Sequence, residues 1–216
     1  DRALNHLEQG EEWLVIPKKL DEKGYRWSPG IKIGVKPLSW SHKNEWFGPV
    51  LGIIESDDFE TSIEIQNGTP YGLTSGIHSL DVEEIETWID SAEAGNLYVN
   101  RGITGAVVNR QPFGGWKNSS CGTSSKAGGE NYLTNLRTFD ELNDAHLAIK
   151  DSERWLTLTG SKVISTENLT SEKNYIRYKK FPKPILVLVD SSTPECYFQY
   201  LEWLQTVFGS CVNVCT

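Results

Sequence analysis

Residues 50–100 indicate the fold most clearly and read VLGIIESDDFETSIEIQNGTPYGLTSGIHSLDVEEIETWIDSAEAGNLYVN. Three short apolar runs rich in β-branched residues predict strands, and they lie at 50–54, 73–78 and 96–100. Apolar side chains on one face predict two helices between these strands, at 59–67 and 82–92. Strands alternating with helices over about fifty residues are typical of parallel βαβ units, so an α/β fold is predicted.

Capping residues mark where these helices begin and end. Asp58 can accept a hydrogen bond from the first turn of its helix, and Gly68 can end that helix. Asp81 and Glu84 have the spacing of a capping box, in which Asp81 accepts from the backbone while Glu84 reaches back. In parallel sheets, ligands bind beyond the carboxyl ends of the strands. The loop after Asn100 is therefore the first place to look for a site.

This loop is rich in glycine, with seven glycines between Arg101 and Asn131. A loop of this length inside a domain is uncommon and tends to be functional. It contains neither G-x-x-x-x-G-K-[ST] nor a G-x-G-x-x-G pattern between a strand and a helix, which argues against phosphate binding. The residues alone do not identify the group that packs against the backbone of this loop.

The flanking regions have weaker patterns. Residues 1–48 predict an irregular lead-in with a short strand at 13–16 and an extended segment over 27–35. Residues 140–151 predict a polar link. Beyond it, one more βαβ unit is expected, made of elements at 155–158, 176–178, 184–189 and 195–208 and a strand from Val212.

Composition narrows the class of protein. The 216 residues carry 21 Lys and Arg against 29 Asp and Glu, a net charge of −8, which argues against nucleic acid as the main partner. No apolar run reaches the roughly 18 residues of a membrane span. The chain has no Met and begins with Asp1, which predicts a piece of a longer translation product.

The four cysteines form no C-x-x-C pair and have no nearby His, so neither a disulfide framework nor a metal site is predicted. Reduced thiols and a cytoplasmic location are expected. Cys121 lies in a polar loop where a nucleophile would be accessible. It has no assignable base, however, and is interpreted as a small loop residue.

Residues 45–50 read EWFGPV and carry a chemical signal. The carboxylate of Glu45 could accept two hydroxyl hydrogen bonds from a sugar, while the ring of Phe47 packs on a flat heterocycle. By composition alone, the same residues could equally form a simple turn before the strand.

Taken together, these stretches resemble the aldehyde dehydrogenase superfamily. Its members carry Glu-x-Phe-Gly-Pro-Val, Tyr-Gly-Leu, Gly-x-x-x-Val-Asn and Pro-Phe-Gly-Gly in this order, matched here at 45–50, 71–73, 95–100 and 112–115. Residues 100–117 and 126–129 are most similar to the L-glutamate γ-semialdehyde (1-pyrroline-5-carboxylate) dehydrogenases. Within these, the likeness is strongest to the dehydrogenase module of bacterial bifunctional proline-utilisation proteins.

The resemblance implies a parent enzyme that oxidises L-glutamate γ-semialdehyde to L-glutamate with NAD in proline catabolism. Residues 1–137 would be the C-terminal part of its catalytic domain, and residues 138–216 a smaller, truncated α/β extension. The expected partners are the small-molecule semialdehyde, the remainder of the parent enzyme and further copies in a homo-oligomer.

The resemblance also implies roles for individual residues. Glu45 would hold the nicotinamide-ribose hydroxyls of NAD, and Phe47 would contact the nicotinamide. The backbone N–H groups of Gly105 and Ala106 would hold the α-carboxylate of the substrate, with Phe113 packed against its methylene chain. Consecutive N–H groups at a glycine can form such an anion nest without a cationic side chain.

No catalytic residue is assigned within this chain. In the family, the catalytic Cys, the Glu base and the Rossmann-like domain precede the Glu-x-Phe segment by more residues than stand before Glu45 here. The isolated chain is therefore expected to be inactive. Two alternatives remain: a non-catalytic, aldehyde-dehydrogenase-like assembly domain of a bifunctional proline-utilisation protein, and an active relative that oxidises another aldehyde.

Overall fold

A computed structural model describes residues 2–105, 110–121, 126–166, 169–180 and 183–215. The chain divides into two compact units, and each is considered by itself. The first contains residues 1–105 and 113–127, and the second contains residues 106–112 and 128–216. The predicted boundary near residue 137 stays a prediction.

The first unit opens with a three-stranded sheet. Its strands are β1 (Glu12–Val15), β2 (Gly30–Ile33) and β3 (Val50–Gly52). The central strand β2 pairs antiparallel with β1 and parallel with β3. Short helices α1 (Arg2–Asn5) and α2 (Trp40–Lys43) belong to the same region. The irregular lead-in expected from the sequence is thus corrected, because its extended segment contains the central strand of this sheet.

A βαβ unit follows, as predicted. Its elements are α3 (Phe59–Asn67), β4 (Tyr71–Gly72), β5 (Thr74–Ile77), α4 (Val82–Ser91) and β6 (Asn96–Val99). Strands β5 and β6 pair in parallel. The core beside them is formed by Ile63, Trp88 and Ala92. The expectation that β3 continues this parallel set is wrong, since among the described residues β3 pairs with β2.

The helix caps explain where these helices begin. Asp58 accepts a hydrogen bond from the Thr61 N–H at 2.7 Å, and this bond lowers the pKa of the Asp58 carboxyl. Asp81 accepts from the N–H groups of Glu83 and Glu84. Glu84 does not reach back to the backbone directly, as the capping box predicts, but through the hydroxyl of Ser79. This hydroxyl donates to the Glu84 carboxylate at 2.6 Å and accepts from the Asp81 N–H at 3.0 Å.

Within its described residues, the glycine-rich loop contains one short strand, β7 (Trp116–Lys117), which pairs antiparallel with β4. Phe113, Gly114 and Gly115, directly before β7, belong to the first unit. None of the described helices combines the length and apolarity that crossing a bilayer requires.

The second unit begins with a 3₁₀ helix at Glu130–Leu136 and continues with α5 (Ala145–Trp155), which runs into a π-helical turn at Leu156–Gly160. The polar link predicted at 140–151 and the strand predicted at 155–158 are therefore wrong. Asp144 caps α5 by accepting from the Leu147 N–H.

The remainder of this unit largely follows the prediction. Strands β8 (Ile164–Ser165) and β9 (Tyr175–Ile176) form an antiparallel pair. Strand β10 (Ile185–Leu188), helix α6 (Glu195–Phe208) and strand β11 (Val212–Cys215) form a parallel βαβ unit, which is confirmed. Leu188 of β10 is 77% exposed, and β10 has one neighbouring strand, β11, among the described residues.

Candidate functional site

The carboxyl ends of β5 and β6 are joined by one side chain. Asn100 follows β6 in the left-handed region, with φ 55°. The side-chain NH₂ group of Asn100 donates to the Ser79 carbonyl at 2.8 Å, and its side-chain oxygen accepts from the Ser79 N–H at 3.0 Å. Asn is one of the few residues that adopt this conformation at low cost. The Val-Asn strand end thus fixes where the following loop begins.

The loop from Arg101 to Gly105 lies back against the strand pair. Ile103 packs where Gly76 has no side chain, and a Cβ at that position would collide with the Ile103 methyl group. The buried Tyr98 donates its hydroxyl proton to the Gly105 carbonyl at 2.7 Å. Gly105 itself is exposed and has a φ of 69°. No acceptor for its N–H is found among the residues that the structure describes.

The Pro-Phe-Gly-Gly loop is held against the start of β6. The Gly114 N–H donates to the side-chain oxygen of Asn96 at 3.0 Å. Gly95 approaches the Gly114 carbonyl so closely that no Cβ would fit between them. Phe113 exchanges two backbone hydrogen bonds with Ala127, both at 2.9 Å. The glycines of these two motifs are therefore required for close packing of two backbone segments.

Lys126 secures the same junction. Its ammonium group donates to the carbonyls of Gly95 and Gly114 and to the side chain of Asn96. Burial without a carboxylate among these partners lowers the pKa of Lys126 to about 8. The sequence contained this residue within the matched segment 126–129, but nothing in the pattern assigned it a role.

The Glu45–Phe47 turn lies before β3. Glu45 is exposed, and Phe47 is 97% exposed. Trp46 between them points inward, and its ring stacks on that of Trp40 with centroids 6.1 Å apart. The turn is further anchored where the Gly30 N–H of β2 donates to the Pro49 carbonyl at 2.8 Å. An unburied carboxylate and a bare aromatic face therefore project from a backbone that is held in place.

A buried ion pair lies beneath this turn. The Lys32 ammonium donates to Glu11 at 3.2 Å and to the His6 carbonyl at 2.7 Å, and both side chains of the pair are 1% exposed. The same ammonium lies 5.2 Å from the ring centroid of Trp46. Burial alone would raise the pKa of Glu11, but the Glu8 N–H at 2.9 Å and the Lys32 ammonium at 3.2 Å stabilise its charged form and lower the pKa below its ordinary value.

The predicted site residues that the structure describes thus fall into two groups, both in the first unit. Glu45 and Phe47 belong to the turn before β3, whereas Gly105 and Phe113 lie beyond the carboxyl ends of β5 and β6. Ala106 lies outside the described residues. Between the two groups, no hydrogen bond, ion pair or ring contact is found among the parts of the chain that the structure describes.

All four cysteines are free thiols, and Cys196 donates to the Leu142 carbonyl. Cys121 is exposed and is a free thiol. No group of three or more His, Cys, Asp or Glu side chains among the described residues is placed to hold a metal ion.

Comparison with known proteins identifies the family of this chain. The model of the aldehyde dehydrogenase family matches residues 4–139, more than half of the chain, and the chain therefore belongs to that family. The family and the α/β fold predicted from the motifs are confirmed.

Relatives similar to this chain include 1-pyrroline-5-carboxylate dehydrogenases and a PutA protein. A 1-pyrroline-5-carboxylate dehydrogenase of Staphylococcus aureus is 39% identical over 136 residues, which is 62% of this chain and 26% of the relative. The structure of Proline Utilization A (PutA) from Corynebacterium freiburgense is 40% identical, with a TM-score of 0.86 over 100% of this chain and 24% of the other. A 1-pyrroline-5-carboxylate dehydrogenase from Thermus with bound NAD is 44% identical over 54% of this chain and 22% of that structure, with a TM-score of 0.51. The chain spans about a quarter of the length of these relatives.

Proposed function

We propose that this chain is part of an NAD-dependent dehydrogenase that oxidises L-glutamate γ-semialdehyde to L-glutamate in proline catabolism. Within that enzyme it would supply the anchor for the substrate carboxylate and part of the nicotinamide site. The observation that carries the proposal is the exposed, left-handed Gly105, held at the carboxyl ends of a parallel strand pair by the Tyr98 hydroxyl. The names of the relatives support the same substrate.

The anchor would select the substrate by its acid end. An N–H group without a protein acceptor in an exposed loop can donate to a carboxylate, and charge-assisted bonds of this kind are stronger than neutral ones. In this proposal the second donor is the N–H of Ala106. Fixing the carboxylate sets the position of the aldehyde carbon along the pocket, which contributes to rate through positioning. Phe113 would contact the methylene chain.

The Glu45–Phe47 turn fits a dinucleotide. Its exposed carboxylate suits the two hydroxyls of a ribose, and its exposed ring suits a flat nicotinamide. NAD would supply the acceptor for the hydride that leaves the substrate. The contribution of this chain would be to orient that acceptor through Glu45 and Phe47. The catalytic thiol would come from the rest of the parent enzyme, and we expect the chain alone to be inactive.

The test uses the full-length parent enzyme and follows NADH formation with two aldehydes. The proposal expects L-glutamate γ-semialdehyde to be oxidised much more efficiently than pentanal, which has five carbons and no carboxylate. NADH formation with neither aldehyde would favour the non-catalytic assembly domain. An equal rate with both would favour an enzyme for another aldehyde.

The cofactor role of Glu45 has its own prediction. Glu45→Gln in the parent should lower kcat/KM for NAD by about 10–100-fold, because hydrogen bonds to a charged acceptor are lost. Glu55→Gln is the matched control, since Glu55 is also an exposed carboxylate of the first unit and has no proposed role. Unchanged cofactor kinetics in Glu45→Gln would remove Glu45 from the site.

Cellular location and assembly belong to the same proposal. Free thiols at all four cysteines agree with a reducing compartment, and we expect the parent to be cytoplasmic. We also expect it to form homo-oligomers, which light scattering of the purified parent would test.

A further inference from the structure

The hydrogen bond between Tyr98 and Gly105 joins strand β6 to the loop that follows it. Tyr98 belongs to β6 and is 2% exposed, and its hydroxyl lies 2.7 Å from the Gly105 carbonyl. Gly105 is exposed and would have open space around an added Cβ. A side chain that is fixed by the core thus reaches one main-chain atom of the proposed carboxylate anchor.

This bond acts on a glycine, a residue whose backbone can adopt either sign of φ. Glycine populates positive and negative φ about equally, so an isolated glycine loop would spend much of its time with its N–H directed elsewhere. A hydrogen bond to the Gly105 carbonyl favours the arrangement with φ 69°. A donor that is already oriented binds its ligand more tightly, because less conformational entropy is lost on binding.

The surroundings of Tyr98 strengthen the restriction. The Arg101 guanidinium lies 5.3 Å from the centroid of the Tyr98 ring, and Ile103 packs against Gly76 of the neighbouring strand. Both contacts hold the loop on the strand pair without touching Gly105. The hydroxyl of Tyr98 is the described group that acts on the Gly105 peptide itself.

We infer that Tyr98 is a positioning residue for substrate specificity: its hydroxyl orients Gly105 so that the enzyme favours aldehydes carrying a carboxylate. The inference rests on the proposed function, since it concerns how the proposed anchor is held. Tyr98 does not touch the substrate. Its effect reaches the carboxylate through the conformation of one glycine.

The test is Tyr98→Phe in the full-length parent, which removes the hydroxyl and keeps the ring. We expect kcat/KM for L-glutamate γ-semialdehyde to fall roughly 3–10-fold, mainly through KM, while kcat/KM for pentanal changes less than about 2-fold. The inhibition constant of L-glutamate should rise by the same factor as KM. Tyr200→Phe is the control: it removes a hydroxyl that pairs with Ser152 in the second unit, and neither aldehyde should be affected.

A merely structural role of the Tyr98 hydroxyl would give a different result. Loss of the buried hydrogen bond would then reduce turnover of both aldehydes by the same factor. Equal effects on the two aldehydes, or no effect on either, would overturn the inference.

A second pair of variants changes exposed glycines of the loop and leaves the core unchanged. A Cβ would meet no atom within 4 Å at Gly105 or at Gly102, but Gly105 alone of the two has a positive φ. Gly105→Ala should therefore reproduce the selective loss for the semialdehyde, and Gly102→Ala should not. If the wild-type parent shows no preference for the semialdehyde, the proposed function fails. If that preference exists and survives Tyr98→Phe but is lost in Gly105→Ala, the role of Tyr98 is wrong and the proposed function stands. If it survives both variants, the assignment of Gly105 to the anchor fails as well.

Discussion

Two lysines in the first unit are withdrawn from solvent, and their charges are compensated in different ways. Lys32 has a carboxylate partner, Glu11, and the faces of Trp13 and Trp46 at 5.1 and 5.2 Å. Lys126 has two backbone carbonyls and an Asn side chain. Neutral acceptors do not offset the cost of burying a charge as a carboxylate does.

The two lysines support different parts of the candidate site. Lys32 supports Trp46, and with it the turn that presents Glu45 and Phe47. Lys126 joins the start of β6 to the Pro-Phe-Gly-Gly loop that carries Phe113. Each half of the candidate site is therefore held by a lysine ammonium, fully buried at Lys32 and partly buried at Lys126. One cation belongs to an ion pair and the other, with its lowered pKa, is sensitive to pH.

The largest effect is expected from breaking the ion pair. Lys32→Met should destabilise the β1–β2 region by about 3 kcal/mol, because the buried Glu11 carboxylate loses its partner. The change would be measured in the full-length parent as the local opening free energy from hydrogen exchange of the β1 and β2 peptides. NAD binding should weaken as well, since Trp46 loses its support.

The control for this experiment is the double variant Glu11→Gln with Lys32→Met. Removing both charges should be less costly than removing Lys32 alone, because no uncompensated charge remains. If the double variant is as unstable as the single one, the carboxylate is not what makes the loss of Lys32 costly.

Sequence reasoning identified the elements whose ends are determined locally. Helix α3 has the predicted boundaries because Asp58 and Gly68 act on backbone within one turn. Helix α6 ends where predicted, at Gly209, which has a φ of 59°. Helix α5 was missed although Asp144 caps it locally, and its packing partners lie in α6 about fifty residues away, where Ser152 bonds Tyr200 and Glu153 bonds Trp203.

The same distinction applies to the candidate site. Glu45, Phe47, Gly105 and Phe113 could be nominated because a linear motif surrounds each of them. The residues that hold them could not, since Tyr98 and Lys126 act on main-chain carbonyls 7 and up to 31 residues away, and Lys32 acts through the ring of Trp46. A backbone carbonyl is present at every position and leaves no sequence signal.

A smaller effect is expected at the second lysine. Lys126→Met should cost about 2 kcal/mol, because the Gly95 and Gly114 carbonyls lose their donor in a partly buried place. The opening free energy of peptides covering 95–99 and 113–117 would report it. Turnover of the semialdehyde should fall with it, since Phe113 shares the released loop. Unchanged exchange at both peptides would contradict a role for Lys126 in joining them.

The contribution of Lys126 to stability is also expected to depend on pH. The folded-state pKa of Lys126, about 8, lies below its ordinary value of 10.5. Between these values the unfolded chain binds more protons than the folded one, so this group makes stability rise with pH. The stability of wild type relative to Lys126→Met should therefore be greater at pH 10 than at pH 7. A constant or falling difference would show that the ammonium is not desolvated.

The smallest effect is expected at a third lysine, where the ion pair is open to water. Lys117 pairs with Glu93 at 2.7 Å, with side-chain exposures of 23% and 45%, and it also donates to the carbonyls of Asn67 and Thr69. Glu93→Gln should cost less than about 0.5 kcal/mol, because solvent screens the pair and the carbonyls keep the ammonium in place. The opening free energy of the peptide covering 116–121 would measure it, and added salt should abolish what remains. A loss as large as that of Lys32→Met would mean that pairing with a carboxylate matters regardless of burial, and the contrast between the buried lysines would need another explanation.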